Sequence, residues 1–281
     1  MKFALNTPNM GTYGDVRQMV ELAREAEAAG WDGFFIWDHI GSGRDWPDEF
    51  ADPWVTLAAM AAVTQRIKLG PIVTPLPRRR PWKLAREAVT LDRLSQGRLV
   101  LGVGIGTDRV REYSCFGEDG DPRVLGEKLD EGLEVLTRLW SGEVFSFHGT
   151  HYQLTDACFL PPPLQQPRIP IWVAGVWPNR KPFRRAALWD GVCPIASDHK
   201  LTPQEYHELV AYVRQQREAA GLSGPFDILA DGHTTGTDRA LDAATVRPFA
   251  EAGATWWQEA FAWDHSLEQV RQRIRLGPPA L

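Results

Sequence analysis

Cysteine is scarce in this chain. Three residues, Cys115, Cys158 and Cys193, stand far apart among 281, with no CxxC pair. An odd, dispersed set argues against a disulfide framework and against a cysteine-held zinc site, and points to a reducing, cytosolic setting. Long apolar runs are missing as well. No stretch approaches the roughly 20 residues that span a bilayer, and the opening MKFALNTPNMG has no apolar signal core. The expectation is a cytoplasmic protein with no membrane partner. No HExxH and no Asp/His cluster at ligand spacing occurs, so no metal is expected. No lysine follows a GxxxxG spacing, which removes the P-loop nucleotide binders. An excess of positive charge is also lacking: the formal charge is −5, which argues against nucleic acid as a partner.

What the chain does have is alternation. KFALNT, residues 2–7, is a short apolar run. A helix follows, with Asp15 as N-cap and Val16, Met19, Val20, Ala23 and Ala26 on one face, and Gly30 ends it. GFFIWDH (33–39) is the second strand, and Pro53 suits the first turn of the next helix. KLGPIVTPLP is a third strand, Pro81 opens a helix that ends at Gly97, and RLVLGVGIG is a fourth strand. A helix with Leu125, Leu129, Leu133, Leu136 and Trp140 in one stripe comes next. A hairpin and a proline-stiffened connector, about 143–168, interrupt the pattern. Strands IPIWVAGV, GVCPI, FDILADGH and TWWQEAF then alternate with four more helices. The strands are nearly continuous apolar runs, as both-face-covered parallel strands should be. EAEAAGWDGFFIW, REAAGLSGPFDIL and AEAGATWWQEAF echo one another as helix end, glycine, strand. Eight such units in residues 1–281 predict an α/β fold, a single-domain (β/α)8 TIM barrel with a small hairpin insertion between its fourth helix and fifth strand; an open doubly wound sheet has the same alternation.

Barrels of this kind carry their chemistry at the C-terminal strand ends. Position therefore nominates Asn6 and Thr7, Asp38 and His39, Val73 and Thr74, Gly104 and Gly106, Ala174, Gly175 and Val176, Ile195, Asp231 and His233, and Glu259. His39 stands beside a carboxylate, and an imidazole, whose ordinary pKa is near neutrality, suits an acid/base; the alternative is a histidine that only bonds its own loop. GVGIG (102–106) lacks the spacing of a dinucleotide loop. Its missing Cβ atoms suit a flat ligand lying against strand four. WVAGVWPNRKPFRRAA runs from strand to a helix start near Pro182. With Arg180 and Lys181 beside it, that start suits a phosphate, or is a solvated basic turn.

Four stretches resemble the luciferase-like monooxygenase superfamily: AEAAGWDGFFIWDH (26–39), the long block from Asp52 to Gly106 that contains GPIVTPLPRRRPWK, LDEGLEVLTRLWSG (129–142) and PPPLQQPRIPIWVAG (161–175). They cover most of the chain in order. The resemblance implies a TIM-barrel oxidoreductase using reduced FMN or the deazaflavin F420. It implies that the third strand ends in a bulge under the cofactor ring, with a non-proline cis peptide at Ile72–Val73. Asp38 and His39 match the acidic/His pair near the ring, with His39 as acid/base, and Gly175 and Val176 match the phosphate-binding region. Arg78, Arg79 and Arg80 would edge the pocket mouth, or pair with surface carboxylates. F420-dependent dehydrogenases of the family usually have a glutamate just after the strand-four glycines. Thr107 and Asp108 stand there instead, with Glu112 further on, which tilts the expectation toward FMN.

The resulting expectation is a reduced-FMN monooxygenase acting on a small organic substrate, with an F420-dependent hydride transfer as alternative. A flavin or F420 reductase would supply the cofactor, and a homodimer is possible. Trp37, Trp46 and Trp177 would wall off water. Rivals of other kinds are a glycoside hydrolase using Asp38 and Glu259 as its carboxylate pair, and a non-catalytic flavin-binding subunit.

Overall fold

A computed structural model describes residues 1–41 and 49–281; Trp46 lies outside the described residues. In chain order the elements are β1 (Lys2–Thr7), α1 (Val16–Ala28), β2 (Gly33–Ile36), α2 (Pro53–Val63), β3 (Lys68–Pro71), β4 (Thr74–Pro75), α3 (Pro81–Leu94), β5 (Leu101–Gly104), α4 (Pro122–Trp140), β6 (Phe145–His148), β7 (Gln153–Ala157), β8 (Ile171–Val176), α5 (Arg180–Ala186), β9 (Gly191–Ile195), α6 (Pro203–Ala219), β10 (Asp227–Gly232), α7 (Arg239–Glu251), β11 (Trp256–Ala260) and α8 (Leu267–Arg275). The helix starts follow their caps. The side chains of Asp15, Asp52 and Asp121 accept backbone N–H groups of the first turn, and Thr202 and Ser266 close capping boxes with Glu205 and Gln269. Gly30 and Gly97, at φ +92° and +80°, take the left-handed conformation that ends α1 and α3.

The strands close into a barrel of eight staves. The order is β3-β2-β1-β11-β10-β9-β8-β5-β4, parallel throughout. The third stave comes in two pieces, β3 and β4, and a parallel bridge between Leu69 and Leu99 joins β3 to the chain entering β5. Counting β3 and β4 as one stave, β8, β9, β10 and β11 are staves five to eight. β6 and β7 form the separate antiparallel hairpin. Glu131 on α4 holds it by accepting the N–H groups of Thr150, His151 and Tyr152 at 2.7, 2.9 and 3.1 Å. Asp92 on α3 pins the proline-rich connector through Leu164 and Gln165.

Side chains alternate between two cores, as strand geometry requires. Ala4, Phe35, Ile72, Val100, Trp172, Cys193, Leu229 and Trp256 fill the barrel axis. Phe35, Trp172 and Trp256 meet there with ring centroids 5.4–5.9 Å apart, in the tilted and edge-on arrangements that aromatic quadrupoles favour. The other faces pack outward against the helices. This inner plug fixes the floor, so any ligand space lies above it, at the C-terminal ends of the staves.

Several boundaries differ from the sequence expectation. The second strand stops at Ile36, short of Asp38 and His39, because both residues are engaged by loop partners. α5 starts at Arg180 rather than near Pro182, and α7 begins at Arg239, ahead of the stretch ATVRPFAEAG. The break expected in the third strand is present: the Ile72–Val73 peptide is cis and lies between β3 and β4.

Candidate active site

The alternation that builds the barrel also sorts the residues at its mouth. On β2, Phe35 faces the axis. Beyond the end of β2 at Ile36 the chain brings Asp38 to Thr74, Arg78 and Arg79, and His39 to Glu112. The Trp37 and His39 rings lie 5.8 Å apart. Neighbours in sequence, Asp38 and His39 therefore have different surroundings.

Asp38 is a buried anchor, 2% exposed. The Thr74 hydroxyl donates to its Oδ2 at 2.8 Å, Arg78 Nη2 to Oδ1 at 2.8 Å, and Arg79 Nη2 to Oδ2 at 2.7 Å. Arg78 Nη2 also donates to the Asp38 carbonyl at 2.7 Å. A carboxylate so fully occupied holds two cations in place. The cationic collar thus folds inward: Arg78 and Arg79 are spent on carboxylates of the second and fourth staves, and only Arg80 of the three is exposed.

His39 is half-buried, and its Nδ1 lies 3.0 Å from Glu112 Oε2. Glu112 is 2% exposed. Burial opposes its charge, but the His39 contact, the Arg78 guanidinium at 2.8 Å and the Ile40 N–H at 2.7 Å outweigh it and hold the carboxyl below the ordinary glutamate range. An ionised carboxylate only accepts, so the contact places hydrogen on Nδ1 and the basic lone pair of the neutral ring on Nε2. Asn9 fixes the backbone beneath: its Nδ2 donates to the His39 carbonyl at 2.7 Å and to the Ala51 carbonyl at 2.8 Å, and its Oδ1 accepts the His39 N–H at 3.1 Å.

Glu112 and Asn9 are the residues that reading the sequence missed. Glu112 is 73 positions from His39 and follows Arg111, which has φ +59°. Asp108 organises that loop by accepting the N–H groups of Tyr113 and Ser114 at 2.9 and 3.0 Å. Glu112, several residues beyond the strand-four glycines, is the carboxylate that meets His39. An Asp followed by Glu four residues on, in a loop leaving a barrel strand, was the available signal.

The remaining expected positions divide. Ile72 and Val73 form the ledge, with Val73 half-buried beside Ala174. Asn6 and Gln258 share the inner face with Ala4 and Trp256, and both are buried. Among the described residues Asn6 Oδ1 and Gln258 Oε1 have no hydrogen-bond partner. Gly102 and Gly104 do not leave a space for a ligand. A Cβ on Gly102 would sit 2.3 Å from the Pro71 carbonyl oxygen, and one on Gly104 would sit 3.0 Å from Val73, so the displaced third stave itself takes the room. Gly106 (φ +71°) turns the chain away and Thr107 is exposed, accepting the Arg109 N–H at 3.2 Å. Gly175 is needed by packing, since a Cβ would sit 2.8 Å from Pro182 of α5. Asn179 caps that helix, and Arg180 lies over the rings of Trp177 and Tyr212 at 4.2 and 4.5 Å. Trp177 is buried against Phe183 and Tyr212. Glu259 faces outward, bound to Thr234 and Arg273, and Asp231 is paired with Lys200. With Asp38 and Glu259 both buried and engaged outside the axis, the carboxylate pair of a glycosidase is not assembled. No group of three or more possible metal ligands occurs among the described residues, and no helix among them is long and apolar enough to cross a membrane.

The mouth thus combines an irregular apolar ledge, two unmatched buried amide oxygens and a histidine backed by a buried carboxylate. A family model described as luciferase-like monooxygenase matches residues 1–278. The chain belongs to that family. It is 31% identical to the oxygenase component of a flavin-dependent trigonelline monooxygenase from Acinetobacter baylyi, over 92% of this chain and 68% of that one. It is 31% identical to an F420-dependent glucose-6-phosphate dehydrogenase from Mycolicibacterium fortuitum, over 73% and 60%. An F420-dependent secondary alcohol dehydrogenase, solved with an F420-acetone adduct, superposes with a TM-score of 0.82 over 99% of this chain and 98% of its own, at 17% identity. Members of this luciferase-like family include flavin monooxygenases and F420-dependent dehydrogenases, and the barrel is theirs.

Proposed function

We propose that the chain is a reduced-FMN-dependent monooxygenase acting on a small organic molecule, with a separate reductase supplying the reduced flavin. The observation that carries this reading is the ledge at Ile72–Val73 on the stave beside the His39–Glu112 pair, at a mouth with unmatched polar atoms. The fit is chemical. Ile72, Val73 and Ala174 offer an apolar surface for a flat heterocycle, while Asn6 and Gln258 offer buried amides to the polar edge of its ring, where an unsatisfied buried group costs about 1–3 kcal/mol. Bound reduced FMN would supply two electrons to oxygen, of which one atom enters the substrate and the other leaves as water. Around it, His39 takes or returns a proton at Nε2, and Glu112 holds the ring in that tautomer. Asp38, Arg78, Arg79 and Thr74 keep the His39 strand end fixed against the third stave. Half-buried Trp37 limits water beside the imidazole.

One observation favours a second reading. Glu112 reaches the site by a longer loop, so the departure that weighed against F420 is smaller than its spacing suggested. In that reading the same His39 takes a substrate hydroxyl proton while hydride passes to F420. Parallel titrations with FMN and F420, followed by quenching of cofactor fluorescence, separate the two. Tighter retention of FMN, by about tenfold or 1.4 kcal/mol, supports the first reading; the reverse order assigns the second. Retention of neither sinks both.

A further inference from the structure

At the opposite end of the barrel from the mouth, a cavity of about 310 Å³ opens beside the first residues of β10 and β11. Its walls come from the last turns of α6, the loop into β10 and the turn from α7 into β11. Small-molecule pockets begin at roughly this size, about 300 Å³. Val213, Phe226 and Ile228 make its apolar surface, and Leu222 lines it while left 39% exposed.

Two guanidinium groups share this cavity. Arg217 is built into the wall and is 8% exposed. It donates to the carbonyls of Ala187, Trp189 and Gly224 at 3.1, 3.0 and 2.9 Å, and lies 4.5 Å over the Phe226 ring. All three acceptors are neutral. Asp190, whose charge acts on Arg217, is itself paired with Arg168. Arg214 stands three residues earlier on the same helix face. Its guanidinium lies against Gly253, where a Cβ would come within 3.3 Å of Nη2. Glu218 also lines the cavity, four residues on from Arg214, a spacing at which opposite charges can meet. Among the described residues neither side chain has a hydrogen bond or an ion pair. Two cations without a bound carboxylate thus border an apolar surface, and the Glu218 charge beside them disfavours an anion with more than one negative charge.

We infer that this cavity binds a small monocarboxylate with an apolar body. Arg214 takes the carboxylate through its forked guanidinium, the buried charge of Arg217 adds attraction, and the body covers Phe226 and Leu222. The site lies away from His39 and is independent of the redox reading of the mouth, so failure of either leaves the other standing.

The test uses the full chain. Benzoate, benzyl alcohol, acetate and phosphate are titrated separately, and binding is read by NMR from the side-chain Nε–H resonances of Arg214 and Arg217. Benzoate should saturate the shifts at a concentration at least about tenfold below each of the other three. Arg214→Gln should weaken benzoate by about tenfold or more at the Arg217 resonance. Arg214 is exposed and unpaired, so its loss should leave the urea unfolding midpoint in place. Leu222→Ser, at a second exposed position, should weaken benzoate by about threefold or more and leave acetate within about twofold. No saturable shift with benzoate overturns the inference. So does benzoate binding no tighter than any one of the comparators, or benzoate affinity unchanged in either variant.

Discussion

Staves two to four meet the mouth with charge, and staves five and six meet it with hydrocarbon. On the first side Asp38, His39, Thr74, Arg78, Arg79 and Glu112 form one connected, mostly buried network. On the second, Ala174, Val176 and Ile195 present apolar surface. The difference teaches where each half gets its precision. Charged groups out of water are held by mutual pairing, so removing one strands its partners. Exposed apolar side chains hold nothing in place and are free to be chosen for what they touch.

The comparison breaks most sharply at Asp38. Asp38→Ala leaves Arg78 and Arg79 without their buried counter-charge and should cost about 3–5 kcal/mol of stability, measured by urea unfolding; a loss under about 1 kcal/mol would mean the network is ornamental. Gly102→Ala comes next. Its Cβ would fall 2.3 Å from the Pro71 carbonyl and 2.6 Å from Ile72 Cδ1, so the ledge must shift at a cost of about 1–3 kcal/mol. Weakened FMN binding should accompany that loss, and unchanged binding would detach the ledge from the cofactor.

Glu112→Gln sharpens the comparison through pH. The folded carboxyl lies below its ordinary range, because the His39 contact, Arg78 and the Ile40 N–H outweigh burial. A lowered carboxyl stabilises the fold fully above its unfolded pKa and loses that contribution as pH falls through the folded value. The stability gap between the native chain and Glu112→Gln should therefore be widest at neutral pH and narrow below the usual glutamate range. A gap independent of pH from neutrality to strong acid would refute the ionised His39 partner. Smallest of all, Ile195→Ser should change stability by less than about 0.5 kcal/mol, read as a midpoint shift in the same urea experiment. A larger loss would show that the apolar rim is structural.

Much of this was legible from local chemistry. Asp15, Asp52 and Gly30 mark helix ends because capping involves neighbours within a turn. The apolar strand runs declared a parallel sheet covered on both faces. The break at Ile72–Val73 came with the resemblance of GPIVTPLPRRRPWK to a family block, and the structure has the cis bond there. The site was read less well, and for a consistent reason. Asp38 and His39 are neighbours in sequence, yet Asp38 is taken by Thr74, Arg78 and Arg79 while His39 meets Glu112. The three arginines could edge the mouth or pair with surface carboxylates, and two of them meet buried carboxylates 34 to 41 positions away. Gly102 and Gly104 looked like room for a ligand, and the chain's own third stave occupies it.

The sequence by itself determined the succession of strands and helices, their caps and the apolar faces that must be buried, since each depends on spacing within a few residues. Tertiary structure alone decided that Glu112 and Asn9 would orient His39, that Asp38 would be spent on Arg78 and Arg79, and that Val176 and Ile195 would stand across the mouth. Those pairings depend on closing the barrel, and closure brings together residues whose separation along the chain contains no record of their distance in space.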